Sequence, residues 1–82
     1  MTEKDALGML YSIQLAPKIC NWSGDLSKLD AKIADAEKAL NVSDEEKAKL
    51  TAAAEAEMKK PESCAQDGLV KAMFDDAVKG NI

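Results

Sequence analysis

Residues 6–17 read ALGMLYSIQLAP, a run with no charged side chain in a sequence where 32% of residues are charged. On a 3.6-residue period the run carries two apolar stripes. Ala6, Met9, Leu10, Ile13 and Ala16 form one, which reaches Cys20 if the helix continues. Leu7, Tyr11 and Leu15 form the other on the far side, with Trp22 just beyond. A helix that is apolar on two sides either lies at the centre of a bundle, covered on both, or leaves part of one stripe open. The first reading makes this segment the core of an all-α fold. The second makes Leu7, Tyr11, Leu15 and Trp22 a docking surface for a protein partner or a second copy of the chain.

Working outward, helix start and stop signals divide the rest of the chain. Helix 1 is expected over about residues 3–19, with Thr2 as N-cap, Glu3 and Asp5 in the first turn, and Pro17 near the end. Asn21 to Gly24 form a loop. Helix 2 is expected over 26–40, capped by Asp25 and ended by Asn41, with Leu26, Leu29, Ile33, Ala36 and Leu40 as a narrow apolar stripe. Ser43 and Glu46 make a capping box that opens helix 3 over 44–60, before Pro61 stops it. Ser63 and Gln66 make a second box, opening helix 4 over 64–79, and Gly80 ends it. In helix 4, Leu69, Val70, Met73, Phe74, Ala77 and Val78 fill one half of the wheel. Helix 3 offers only Leu50, Ala54, Met58 and small side chains. Nothing alternates with the period of a strand, so residues 1–82 read as one all-α domain, a compact four-helix up-down bundle.

Composition limits both the core and the chemistry. A chain of 82 residues buries only about 60 to 65% of its unfolded surface, and 14 of its residues are alanine, so the core is thin. Histidine and arginine are absent, and all 11 basic residues are lysine. That excludes His-based nucleophile pairs, His-ligated zinc and the bidentate arginine fork. Fifteen acidic residues give a net charge of −4, which opposes nucleic acid and anionic membrane surfaces. The chain lacks the roughly 18 to 20 apolar residues that span a bilayer. Glu3, Lys4 and Asp5 ahead of the apolar run, with Gln14 before Ala16, fit a folded helix better than a signal peptide.

Cys20 and Cys64 form no CxxC motif. They can be a structural disulfide, two buried thiols, or a redox pair. In an up-down bundle the end of helix 1 and the start of helix 4 lie at the same end, which favours the disulfide. A disulfide points to a periplasmic or secreted protein, whereas reduced cysteines leave the cytoplasm open. Asp25, Asp30 and Asp35, the run Asp44 to Glu46, and the pair Asp75, Asp76 lack the order of an EF-hand loop and read as solvated faces. Tyr11 and Lys18 are the nearest thing to an acid and base, and nothing in the sequence perturbs them toward catalysis. No enzyme, cofactor or metal site is expected.

The length, helical pattern, mild acidity and single wide cysteine pair, with a tryptophan beside the first cysteine (Cys20, Asn21, Trp22), resemble the layout of small periplasmic acid-stress chaperones of the HdeA type. The resemblance implies a Cys20–Cys64 disulfide and an apolar client surface uncovered at low pH. Three function classes follow. The first is a non-enzymatic interaction module, such as an inhibitor, an immunity-type protein or an accessory subunit, that uses the apolar surface of helix 1. The second is an acid-activated periplasmic chaperone, and the third a thiol redox protein.

Overall fold

The structure, a computed structural model, describes residues 3–81, so the expected Thr2 cap lies outside the described residues. The helices are α1 (Glu3–Ile19), α2 (Ser27–Leu40), α3 (Asp44–Met58) and α4 (Leu69–Lys79), with a 3-10 turn at Pro61–Cys64 ahead of α4. The architecture is the expected four-helix bundle, closed by one disulfide between Cys20 and Cys64.

Local signals account for most boundaries. Ser43 is extended (φ −76°, ψ 162°) and its hydroxyl accepts from the Glu46 N–H at 3.1 Å, while the Glu46 carboxylate accepts from the Ser43 backbone in return. This is the reciprocal capping box. Asn41 and Gly80 close α2 and α4 in the left-handed conformation, with φ of 51° and 80°. α1 runs through Pro17, and the Cys20 N–H still donates to the Ala16 carbonyl at 2.7 Å. At α2 the expected cap is displaced by one residue. Leu26 occupies the cap position, and the Asp25 carboxylate accepts from the Ser27 N–H at 2.9 Å, a local Asx turn.

The start of α4 differs more. The Ser63–Gln66 box does not form, because Ser63 is buried in the 3-10 turn and its hydroxyl donates to the Glu57 carbonyl at 2.7 Å. That bond satisfies a carbonyl in the last turn of α3 and leaves nothing to cap a following helix. Ala65 is extended, and Gly68 (φ −84°, ψ 169°) becomes the cap of α4, its carbonyl accepting from the Ala72 N–H at 3.2 Å. A Cβ on Gly68 would stand 3.2 Å from the Ala65 carbonyl oxygen, so any larger residue would push the turn open by a few tenths of an ångström. The shortened helix leaves Leu69, expected in the core, 71% exposed in its first turn.

α1 is the central helix. It packs on α3 most extensively, on α2 next, and also on α4. α1 and α3 run parallel: Lys4 pairs with Glu46 near their starts, and Leu15 and Ile19 lie beside Glu55 and Lys59 near their ends. Each helix supplies part of one core: Leu7, Tyr11, Ile13 and Ala16 from α1, Leu29 and Ile33 from α2, Ala54 and Met58 from α3, Phe74 and Ala77 from α4. Despite its small side chains, α3 is therefore a main cover of α1.

Candidate functional site

Two of the four residues expected to dock a partner are buried inside the domain, and the other two, Leu15 and Trp22, are half-buried against its core. Leu7 and Tyr11 are 1% and 3% exposed, so this part of the second stripe is core. The reason is α3, whose parallel course covers the side of α1 that periodicity leaves undecided. Trp22 is half-buried, with its ring 5.3 Å from that of Phe74 at an interplanar angle of 53°. The Lys71 ammonium lies 5.3 Å from the Trp22 ring and 5.4 Å from the Phe74 ring, within cation–π range of both. The 21–25 loop presses onto α4 so closely that a Cβ on Gly24 would come within 2.7 Å of Val78 Cγ2. Trp22 thus serves as a lid on α4. Leu15, the fourth residue, remains partly open.

Polar links hold the neighbouring helices against α1. The Tyr11 hydroxyl donates to the Glu37 carboxylate at 2.6 Å, and Lys47 of α3 pairs with the same carboxylate at 3.2 Å, which joins three helices at one group. Burial, then the Glu37 hydrogen bond and charge, push the Tyr11 phenol above its ordinary value. The Tyr11 bond, assisted by Lys47, holds the Glu37 carboxyl below its own. Lys4 bridges to Glu46, which is likewise lowered, and Gln14 donates to Asp30 at 2.9 Å. Each of these links ends on a carboxylate.

Cys20 and Cys64 are bonded with their Cα atoms 5.3 Å apart, tying the end of α1 to the 3-10 turn. Cys64 therefore does not stand at the N-terminus of α4, and the helix dipole that would have favoured its thiolate does not point at it.

Leu15 opens into a groove between the last turns of α1 and α3. Leu15 and Ile19 supply apolar lining, Lys18 comes from the α1 side, and Glu55 and Lys59 come from the α3 side. Leu15 and Ile19 are half-buried, while the three charged residues are exposed. The two helices meet here because they run parallel and end together, before Pro61 turns the chain back toward Cys20. Lys18 and Lys59 carry no sequence signature beyond their place near helix ends, which is why periodicity alone did not single out the site. The groove holds about 230 Å³, below the roughly 300 to 1,000 Å³ of small-molecule sites. It suits one or two anchoring side chains.

Among the described residues no group of three or more His, Cys, Asp or Glu is placed to hold a metal ion. No helix among them is long and apolar enough to cross a membrane. No protein-family model, curated protein or solved structure matches the chain.

Proposed function

We propose that this chain is a small non-enzymatic protein-binding module whose docking site is the groove at the ends of α1 and α3. The observation that carries the reading is the open end of the helix 1 stripe. Leu7 and Tyr11 are consumed by the core, but Leu15 and Ile19 emerge side by side into a recess of side-chain size. Apolar anchors that fill small pockets are how binding energy concentrates at protein interfaces. The disulfide ties down the same end of α1, and it supports a periplasmic or secreted setting, where such bonds persist.

Comparing proteins captured by the wild-type domain with those captured by Leu15→Asp tests this. Leu69→Asp, at an exposed residue of α4, serves as the folded control. A partner lost with Leu15→Asp and kept with Leu69→Asp supports the groove, provided circular dichroism shows Leu15→Asp folded. Capture indifferent to Leu15 removes it.

A second reading, acid-activated chaperoning, is favoured by the carboxylate-terminated links. Protonating Glu37 and Glu46 weakens the attachments of α2 and α3 to the most apolar helix, while the disulfide still limits expansion. Suppression of client aggregation at pH 2 to 3 measured against pH 7 decides it, and no gain in acid rules it out. Redox function has no comparable support, since Cys64 lacks the helix N-terminus that its activation requires.

A further inference from the structure

The groove's walls carry the chemistry of its occupant. Lys18 stands in the last turn of α1 and Lys59 at the C-cap of α3, both exposed. Among the described residues neither takes part in an ion pair, a state they share with Lys28, Lys32, Lys38 and Lys79, whereas Lys4, Lys47, Lys49, Lys60 and Lys71 are each paired with a carboxylate. Glu55 stands one turn before Lys59, yet the two make no ion pair. The recess therefore joins an apolar floor to two uncommitted ammonium groups and one carboxylate, a local excess of positive charge on an acidic domain. Position near helix C-termini suits both lysines electrostatically, but it does not account for their lining the same apolar recess.

Resting on the binding-module reading, we propose that the partner engages this groove through an acidic–apolar segment. An aliphatic side chain anchors on Leu15 and Ile19, and flanking carboxylates face Lys18 and Lys59. The size of the recess favours a peptide anchor over a metabolite. The charges supply orientation and rejection of basic competitors more than raw affinity. A basic segment would set like charges against Lys18 and Lys59, and a purely apolar one would leave both without a partner.

The test uses three fluorescent peptides, Glu-Leu-Leu-Glu, Gln-Leu-Leu-Gln and Lys-Leu-Leu-Lys, titrated with the intact disulfide-bonded protein. The acidic peptide is expected to bind most tightly, and to weaken by about tenfold or more between roughly 0.05 and 0.5 M salt, as screening shortens the reach of exposed charges. K18E combined with K59E should weaken it similarly, and because both lysines are exposed and unpaired, the fold should survive. Leu15→Asp should abolish binding of every peptide. Equal binding of the neutral and acidic peptides, with Leu15 still required, overturns the partner chemistry and leaves the groove intact. Preference for the basic peptide, or no binding by the acidic one, also overturns it. The groove itself stands or falls on the Leu15→Asp capture experiment.

Discussion

The Tyr11 hydroxyl donates to the Glu37 carboxylate at 2.6 Å, and that carboxylate also receives Lys47 from α3. A buried phenol on the central helix thereby fixes where its two neighbours lie. The contact resolves an ambiguity in the sequence, since Tyr11 reads equally as an interface anchor or as a core residue with a polar handle. The hydroxyl has found its partner inside the domain, as buried tyrosines do.

Tyr11→Phe removes this bond with little change of shape. Hydrogen bonds to charged groups contribute about 1.5 to 3 kcal/mol, and the partial exposure of Glu37 lowers the expected loss to about 1 to 2 kcal/mol. Urea unfolding at pH 7 measures it. An unchanged midpoint would show that Glu37 does not brace α1.

Helix starts and stops were largely legible because they are local. The Ser43–Glu46 box, Asn41 and Gly80 act through hydrogen bonds and φ values within a few residues of themselves. The topology that brings Cys20 to Cys64 was legible as well, once four helices alternate in direction. The start of α4 was not, since Ser63 is claimed by the Glu57 carbonyl and Cys64 by Cys20, partners from outside the helix it was expected to open. The Asp67–Gly68 dipeptide was the signal that could have found the break. Periodicity also showed that α1 is apolar on two sides but could not say which side α3 covers, so it left open whether Leu7 and Tyr11 are core or docking surface, and the structure makes them core.

The disulfide closes a loop with a sequence separation of 44. In the chain-entropy model this stabilises by about 4 kcal/mol, a large share for a core of ten buried apolar residues among those described. Reduction, or Cys20→Ser with Cys64→Ser, is expected to lower the thermal midpoint by well over ten degrees, since about 1 kcal/mol shifts a domain of this size by roughly 4 to 8 °C. A shift of only a few degrees would mean that the helices hold one another without the bond.

Gly24→Ala tests the lid formed by the 21–25 loop. The added Cβ would meet Val78 Cγ2 at 2.7 Å and Phe74 Cζ at 3.0 Å, so the loop must lift or α4 must shift. Overpacking of this kind costs about 1 to 3 kcal/mol. Because Trp22 is the sole tryptophan, its fluorescence reports the event directly, and a red shift is expected as the ring leaves Phe74. An unaltered spectrum with unaltered stability would contradict the close approach.

The pH dependence follows from the same contacts. Glu37, Glu46 and Asp25 are held below ordinary carboxylate values, chiefly by the bonds from Tyr11, Lys4 and the Ser27 N–H respectively. A folded value lower than the unfolded one stabilises the fold above the unfolded value, about 4, and that stability is lost as pH falls through the folded values. The urea midpoint should therefore hold steady from about pH 7 to 5 and decline below about pH 4. At the other extreme, Tyr11 is raised, so its contribution is complete below about pH 10 and lost as pH climbs through the folded value. Tyr11→Phe separates the two limbs, because it removes the phenol's part of the alkaline decline, leaving that of Lys60, and relaxes only the Glu37 part of the acid one. If the variant retains the full alkaline decline, lysine deprotonation rather than the phenol governs that limb, and Tyr11 is not the group that α2 holds neutral.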